Sequence, residues 1–336
     1  MTARTIHLAT RGALAQLVPD RPDKRNALSA AMWRAIPELV GAAGADPAVK
    51  VLILRGSSAE AFSAGADIAE FDRVHASAAT AREYHAVVAA AYEALACLAK
   101  PTIAMVQGAC FGGGCALALC CDLRYADPSA RFCIPPARLG LTYSLGETKR
   151  LVDLVGPSRA KEMLMGARVI LAEEALRIGL ATRLFPAADL ERETLAFAEQ
   201  LAALSQFTIR AVKQVIAEIQ NGAVAETEVS RRLLEEQFAG PDYLEGRRAF
   251  LETGFHLALR VLGDRLSEAP AKLGRLSLVA RHRPEVRHGR PQRNSAASSV
   301  EPPVADLATA NRPAPAMPPG ASGLRPFDVT GSSPRW

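Results

Sequence analysis

The stretch KPTIAMVQGACFGGGCALALCCD, residues 100–122, decides the fold because it joins an apolar strand to a buried helix through three consecutive glycines. Thr102 to Val106 is an apolar, partly β-branched run that predicts a buried strand. The small apolar residues from Cys115 to Leu119 predict a buried helix. Glycines at such a junction let the backbone approach a ligand closely and direct its N–H groups outward. They therefore predict either a packing turn or a set of donors for an anion, or for a carbonyl oxygen that becomes one.

Composition indicates a globular protein with a sizeable core. The 336 residues are 49% hydrophobic and 22% charged. No run of eighteen uninterrupted apolar residues occurs, which predicts no membrane span, and the first residues lack the apolar core of a secretory signal. The six cysteines lack zinc-ligand spacing and lie mostly among apolar residues. We therefore expect reduced thiols, no metal site and a cytoplasmic location.

The positive net charge of the chain, +5, comes from its C-terminal part. Residues 256–336 carry 12 Lys and Arg against 6 Asp and Glu, which leaves a net charge of −1 for residues 1–255. Residues 1–255 are therefore nearly neutral, and they lack the excess positive charge that would indicate nucleic-acid binding. Eleven of the 22 prolines lie between Pro270 and Pro334, among Ser, Ala and Arg clusters. This composition predicts a disordered, solvated tail rather than a segment that binds RNA or lipid.

Apolar patterning predicts strands in the first half of the chain and helices in the second. The predicted strands cover residues 5–10, 13–18, 49–55, 102–106, 123–126 and 131–133. Ser29 is predicted to cap a helix that runs towards Val40, and a second helix is predicted from Ala78 to Ala99. Only helices are predicted from residue 146 to residue 251. The sequence thus predicts an α/β core followed by a helical C-terminal portion.

Several separated segments together resemble the crotonase superfamily, the enoyl-CoA hydratase/isomerase family. They are DKRNALS at 23–29, AFSAGADI at 61–68, the glycine-rich stretch at 100–124, RLGL at 138–141, the segment from KRLVDLVGPS to RLFP at 149–186, and GPDYLEGRRAF at 240–250. They occur in order over residues 5–252, and the set is far more specific than any single glycine motif.

The resemblance implies a crotonase-like spiral of ββα units. It places an acyl-CoA-binding core in residues 1–200, C-terminal helices in residues 201–255 and the basic tail in residues 256–336. The C-terminal helices of relatives build a trimer, often paired into a hexamer, so we expect a homotrimer or hexamer. The implied substrate is a thioester of coenzyme A, which enters only as part of the substrate, so no separate cofactor is expected.

Family members hold the thioester carbonyl between two backbone N–H groups. Motif matching places these donors at Ala66, in SAGAD, and at Gly113, the middle glycine of GGG. Enolate-forming chemistry puts negative charge on that oxygen, and fixed donors stabilise the charge most as it forms. The same motifs imply further substrate-binding positions, which are Lys24, Arg25, Ala27, Ala64, Asp67, Ile68 and Gly112. Lys24 and Arg25 are phosphate partners or solvated loop charges, and Asp67 is alternatively a loop anchor.

Both glutamates that handle water and proton in the hydratases of this family are replaced. The matching pocket positions are Ala116, after the glycines, and Pro136, in FCIPP at 132–136. Neither side chain can transfer a proton, so the two-glutamate mechanism does not carry over. Two other residues are candidates. Glu147 is a displaced acid/base or a first-turn helix carboxylate, and Tyr143 matches a tyrosine of related decarboxylases or forms a pocket wall.

Three functions follow from this pattern. The first is a hydratase-type lyase of fatty acid metabolism that hydrates a 2-enoyl-CoA. The second is decarboxylation of a malonyl-type CoA thioester, which needs the two donors but no general base. The third is a catalytically weak acyl-CoA-binding protein. We adopt the hydratase hypothesis. His75 and His85 are predicted to lie on a helix outside any family motif, in surface or packing roles.

Overall fold

The computed structural model describes residues 6–253, and the tail predicted to be disordered lies outside this range. The strands are β1 Ile6–Arg11, β2 Leu14–Pro19, β3 Val51–Arg55, β4 Ala61–Ser63, β5 Thr102–Val106, β6 Ala109–Phe111, β7 Leu123–Ala126, β8 Arg131–Cys133, β9 Ile170–Leu171 and β10 Arg183–Leu184. The helices are α1 Ala30–Ala45, α2 Phe71–Val74, α3 Ala78–Ala96, α4 Gly113–Cys120, α5 Pro136–Leu139, α6 Leu145–Val155, α7 Pro157–Gly166, α8 Ala172–Arg177, α9 Leu190–Ala203, α10 Gln206–Gln220, α11 Glu228–Glu236 and α12 Pro241–Thr253.

The larger sheet has six strands in the order β1-β2-β3-β5-β7-β10. β1 and β2 form an antiparallel hairpin around Gly12, whose φ of +58° suits glycine. From β2 onward the strands are parallel. β3 and β5 are buried almost throughout. This explains why their sequences are nearly continuous apolar runs rather than alternating patterns.

A smaller sheet holds four short strands in the order β4-β6-β8-β9. The chain passes from β3 to β4, from β5 to β6 and from β7 to β8, so each pair contributes one strand to each sheet. A helical segment then follows each pair. This repetition is the predicted spiral of ββα units, and the expected fold is confirmed. β4 and β6 were not predicted, because three-residue strands among Gly, Ser and Ala give no recognisable period.

Two buried clusters lie on opposite faces of the larger sheet. The main cluster joins that sheet to the smaller sheet and to α1, α3 and α4, and it includes Trp33 and Leu117. The second cluster packs α9 against the outer face through Leu190 and Ala198. Ser29 caps α1 as predicted, since its hydroxyl accepts a hydrogen bond from Met32 N at 3.3 Å. The helix continues beyond Val40 to Ala45.

The second half of the chain is not purely helical, and that prediction was wrong. β9 and β10 each add two residues to the edge of a sheet. Two-residue strands are set by the partner strand rather than by their own sequence, so no pattern marks them. The helices that follow include α10, in which no residue is buried within the described chain. Among residues 6–253, no helix is long and apolar enough to cross a membrane.

Candidate active site

Two loops meet at the carboxyl ends of β4 and β6. Parallel pairing sets Ala61 opposite Ala109 and Ser63 opposite Cys110, so the chain leaves both strands in the same direction. Gly65, with φ +92°, is pressed against the second loop. A Cβ on Gly65 would lie 2.8 Å from the carbonyl oxygen of Phe111 and 3.1 Å from the nitrogen of Gly113. Only glycine permits this approach, which brings SAGAD and GGG into contact.

At each position of the GGG run, a different steric constraint favours glycine over residues with a side chain. Gly112 has φ +50° and ψ −124°, a conformation that side chains strongly disfavour. A Cβ on Gly113 would lie 3.0 Å from Cζ2 of Trp33. A Cβ on Gly114 would lie 2.6 Å from the Cβ of Ser63. The run is therefore a packing turn and, at the same time, a place where backbone donors can face a ligand.

No backbone acceptor is found for the N–H groups of Ala66 and Gly113 among the described residues. Leu28 forms a parallel bridge with Ala66: its N donates to Gly65 O at 2.7 Å and its O accepts from Asp67 N at 2.9 Å. Because both bonds go to the neighbours of Ala66, the N–H of Ala66 itself points away from Leu28. Gly113 is the first residue of α4, so its N–H has no acceptor within the helix.

Ala66 and Gly113 both line a cavity of about 480 Å³. Eight of the thirteen predicted site residues line it, and they are Ala64, Ala66, Ile68, Gly112, Gly113, Pro136, Tyr143 and Glu147. Five others do not line it, and they are Lys24, Arg25, Ala27, Asp67 and Ala116. Ala116 is 2% exposed and packs in the main buried cluster. Neither Ala116 nor Pro136 offers a group that can transfer a proton.

Arg21 links the two loops predicted to bind coenzyme A, the one that carries Lys24 and the one that carries Asp67. No sequence motif marked Arg21 for this role. Its guanidinium donates to Asp67 Oδ2 at 2.8 Å and to Ala27 O at 2.9 Å. Burial raises the pKa of Asp67, but hydrogen bonds from Arg21 and Ala69 N, with the charges of Arg21 and Lys24, outweigh burial and lower it. The carboxylate of Asp67 therefore acts as a loop anchor.

Asn26 is a second anchor that sequence reasoning missed. It is fully buried and adopts φ +56°, a left-handed conformation that Asn tolerates better than most residues. Its Nδ2 donates to Ala61 O at 2.7 Å, and its Oδ1 accepts from Arg21 N and from Ser57 Oγ, both at 3.0 Å. The side chain thus joins the loop at 21–27 to β4. A polar residue inside an otherwise charged loop gave no sequence signal for this role.

Glu147 combines a capping role with a place on the cavity wall. Its Oε2 accepts from the backbone N of Ser144 at 3.0 Å and from the hydroxyl of Ser144 at 2.7 Å. In return, Glu147 N donates to Ser144 Oγ at 3.3 Å. This is a capping box at the start of α6. The helix role expected for Glu147 is therefore present, and its carboxylate also borders the cavity.

Two tyrosine hydroxyls near Glu147 are held in the neutral form. Burial raises the pKa of Tyr143, and the negative charge of Glu147 adds to the effect. Burial also raises the pKa of Tyr92 well above its usual value, again with a contribution from Glu147. The Tyr92 hydroxyl lies 3.4 Å from Gly113 O. Both hydroxyls can therefore act as hydrogen-bond donors at neutral pH.

Part of the cavity lining consists of aromatic residues of α1, α2 and α3. His75 follows the last residue of α2, and His85 lies on α3; both line the cavity. The predicted packing role is present, since the ring centroids of His75 and His85 lie 5.8 Å apart, and both rings in addition border the cavity. His75 was also expected within a helix, whereas it ends one. No motif marked these histidines, because they reach the cavity only through the packing of α2 against α3.

The cysteines are not placed for catalysis. Five of them are buried, and Cys97 is exposed. Burial raises the pKa of Cys120 to about 12 and raises the pKa of Cys110, Cys121 and Cys133 as well, so these thiols stay protonated. Within residues 6–253, no group of three or more His, Cys, Asp or Glu side chains is placed to hold a metal ion.

The two-sheet spiral of ββα units defines a crotonase-fold protein. The family model described as enoyl-CoA hydratase/isomerase matches residues 9–256, and the chain belongs to that family.

Relatives agree with this assignment. The chain is 38% identical over 258 residues to the crotonyl-CoA hydratase of Syntrophomonas wolfei, covering 75% of this chain and 96% of that protein. It is 31% identical over 257 residues to the short-chain-enoyl-CoA hydratase of Clostridium acetobutylicum, again covering 75% and 96%. A crystal structure of an enoyl-CoA hydratase/isomerase family protein from Hyphomonas neptunium has a TM-score of 0.72 and 41% identity, covering 74% of this chain and 95% of that one.

Proposed function

We propose that this protein is an acyl-CoA thioester enzyme that hydrates a 2-enoyl-CoA. The thioester carbonyl oxygen is held between the N–H groups of Ala66 and Gly113. The observation that carries the proposal is the close approach of the two loops, since a Cβ added to Gly65 would lie 3.1 Å from Gly113 N and both Ala66 and Gly113 line one cavity. As water adds to the carbon–carbon double bond, negative charge moves onto this oxygen, where fixed donors stabilise it. Relatives named as hydratases support the same reaction.

We assign the proton transfers to Glu147, with Tyr143 as its partner. The carboxylate of Glu147 takes a proton from water while the hydroxide oxygen bonds to the β carbon. The resulting enolate then takes that proton at the α carbon, which regenerates the carboxylate. Tyr143, with its raised pKa, stays neutral and orients the water by donating a hydrogen bond. These two roles stand in for the glutamates that Ala116 and Pro136 replace.

The coenzyme A portion of the substrate is assigned to the loops outside the cavity. Lys24 and Arg25 are exposed cations on a loop that Arg21 fixes to SAGAD, and they are suited to phosphate groups. Between these cations and the cavity, the bound coenzyme A would contact the backbone and apolar surface of Ala27, Ala64 and Ile68. Coenzyme A enters as part of the substrate, and no further cofactor is required for hydration.

We also propose a homotrimer, or a hexamer of two trimers, assembled through the C-terminal helices. α10 and α11 enclose an apolar groove of about 600 Å³ whose wall includes Val212, Ile216 and Leu234. These side chains are each at least half exposed. Monomers rarely expose such a continuous apolar surface, so a second copy of the chain is the occupant we assign. A cytoplasmic location agrees with the buried, unpaired thiols.

The direct test is a panel of thioesters incubated with the full-length protein and analysed by mass spectrometry. We expect crotonyl-CoA to gain the mass of one water, with loss of the absorbance of the conjugated thioester. A malonyl-type thioester serves as the comparison substrate, and no loss of carbon dioxide is expected from it. Decarboxylation without hydration, or tight binding without turnover of either class, would overturn the proposal. The relatives favour neither of these alternatives.

A further inference from the structure

Gly113, one of the two proposed carbonyl donors, lies where the backbone has the most conformational freedom. It is the first residue of α4, and a glycine has no side chain to restrict its φ and ψ angles. A donor stabilises a developing oxyanion most when its direction is fixed beforehand, so a mobile N–H group contributes less. The contacts that restrain Gly113 therefore bear directly on the proposed reaction.

The peptide group that carries the N–H of Gly113 is restrained on the side that precedes this residue. Gly112 O, which belongs to the same peptide group, accepts a hydrogen bond from Ala116 N at 3.0 Å. Gly112 N donates to Cys133 O at 2.8 Å, which links the turn to β8. These bonds hold the peptide before Gly113, and the peptide after it needs a restraint of its own.

Tyr92 of α3 provides a restraint on that following peptide. Its hydroxyl donates to Gly113 O at 3.4 Å, which is the one hydrogen bond of the Tyr92 side chain within residues 6–253. A Cβ on Gly113 would lie 3.1 Å from this hydroxyl and 3.0 Å from Cζ2 of Trp33. The rings of Trp33 and Tyr92 pack edge-on, with centroids 5.4 Å apart. The aromatic pair therefore crowds the Cα of Gly113, and Tyr92 also binds its carbonyl oxygen.

Packing alone does not explain a hydroxyl at this position. Tyr92 is 4% exposed, and burial of a hydroxyl costs free energy unless the group is hydrogen-bonded. Phenylalanine would fill the same space between the rings without that cost. Burial, with the negative charge of Glu147, raises the pKa of Tyr92 well above its usual value, so the phenol stays protonated and able to donate. The bond to Gly113 O is the role that the structure offers for this hydroxyl.

We infer that Tyr92 is a positioning residue for the proposed reaction: its hydroxyl holds Gly113 O and thereby fixes the direction in which the N–H of Gly113 meets the thioester carbonyl. The inference rests on the proposed function for the place of that carbonyl. It deepens the function by adding a side chain that acts through the backbone and touches no reacting atom. The proton transfers stay with Glu147.

Infrared spectroscopy of a bound, unreactive thioester tests the inference without turnover. The probe is butanoyl-CoA labelled with carbon-13 in the thioester carbonyl, bound to the full-length protein. In the wild type we expect the carbonyl stretch to move to lower frequency on binding, because two N–H donors polarise the bond. In Tyr92→Phe the shift should be smaller and the band broader, because the donor at Gly113 then samples several directions while the donor at Ala66 stays in place.

Kinetics and a matched control separate positioning from stability. With crotonyl-CoA, Tyr92→Phe should lower kcat about fivefold, the effect of about one neutral hydrogen bond, and change KM by less than about twofold. Tyr125→Phe is the matched control, because it also removes a buried tyrosine hydroxyl but lies in the second cluster, across the larger sheet. It should leave the carbonyl frequency and kcat at their wild-type values. A loss of stability in Tyr92→Phe with both readouts unchanged would indicate a structural role only and overturn the inference.

The outcomes distinguish this inference from the proposed function. A wild-type shift that Tyr92→Phe leaves unchanged overturns the inference alone. No shift in the wild type would show that the carbonyl is not held by these donors, and it overturns both. A shift that depends on Tyr92, in a protein that hydrates no enoyl-CoA, supports the inference and overturns the hydratase proposal instead.

Discussion

The Arg21 guanidinium and the Asp67 carboxylate meet at 2.8 Å, although 46 residues separate them in the chain. This ion pair fixes the loop that carries Lys24 to the loop that carries Ala66. Both side chains are largely buried, with exposed fractions of 16% and 10%. The pair therefore couples the site assigned to phosphate groups to the site assigned to the thioester carbonyl.

Arg21→Gln should weaken substrate binding more than it weakens turnover. Loss of the charged hydrogen bonds is expected to cost about 1.5–3 kcal/mol of stability and to raise KM, because the two loops lose their tie. Lys24→Gln is the matched control, since its side chain is 46% exposed and its Nζ lies 3.7 Å from Asp67 Oδ2. It should raise KM with little change in the free energy of unfolding. Equal stability losses in both variants would contradict this account.

The same pair should make stability depend on acid pH. Because the folded pKa of Asp67 lies below its ordinary value of 3.8, its contribution is fully present above pH 3.8. The stabilisation that Asp67 contributes is lost as the pH falls through the lowered pKa of Asp67 in the folded protein. Urea unfolding of the wild type and Arg21→Gln between pH 2 and pH 6 measures this difference. The two curves should converge at the acid end, and parallel curves would argue against the assignment.

Glu147→Gln separates the capping role of Glu147 from its proposed acid/base role. Glutamine still completes a capping box, so stability should hold within about 0.5 kcal/mol, while kcat should fall by about 10²–10⁴. Ser144→Ala is the reverse control. It removes the cap and should cost about 0.5–2 kcal/mol of stability while leaving the carboxylate in place. If Glu147→Gln hydrates crotonyl-CoA at the wild-type rate, another residue carries the proton.

Ala66→Pro removes one of the two proposed donors, because proline has no backbone N–H. We expect kcat to fall by about 10²–10³, the usual effect of losing one donor to a developing oxyanion. Calorimetric binding of a saturated thioester and thermal melting would establish that the variant is folded. A folded variant with wild-type kcat would place the carbonyl elsewhere.

Gly114→Ala and Gly41→Ala should change stability in opposite directions. A Cβ at Gly114 would come within 2.6 Å of Ser63 Cβ and 2.8 Å of Ser63 O, so β4 or α4 must shift, and we expect a loss of about 1–3 kcal/mol or more. Gly41 lies within α1, with nothing within 4 Å of its added Cβ. Its replacement should stabilise the protein by about 0.5–1 kcal/mol. Denaturant unfolding would measure both.

The C-terminal groove should determine the oligomeric state. Ile216→Asp places a charge on the apolar surface of α10 and should convert the assembly to monomers in light scattering. Gln214→Asp is the matched control, because residue 214 is exposed on the same helix but does not line the groove. An unchanged mass for Ile216→Asp would exclude this groove as the interface.

Long apolar runs made much of this fold predictable. The strands at Val51–Arg55 and Thr102–Val106 are buried on both faces, so their sequences carry a strong signal. In the smaller sheet only β8, at 131–133, was predicted; β4, β6 and β9 were missed because strands of two or three residues carry too little period to be recognised. The positions of the two backbone donors come from motif resemblance and stay a prediction; the close approach of Gly65 to the loop that carries Gly113 shows only that the two loops lie side by side.

The polar side chains around the site were harder to predict. Arg21 and Asn26 act through contacts with residues 35 to 46 positions away, and loop charges usually remain solvated. His75 reaches the cavity only because α2 turns back against α3. Single-sequence patterns report the local period of a segment and say little about such distant partners.

The two proposed carbonyl donors are main-chain atoms, and this bears on how such a protein can change over evolutionary time. Side chains around them, including Ala116 and Pro136, can be exchanged without removing either N–H group. Mutations can therefore change the reaction without abolishing carbonyl binding. Selection can replace the side chains that transfer protons while the backbone still binds the thioester. The glycine at position 65 is the exception, since its substitution would separate the loops that supply both atoms.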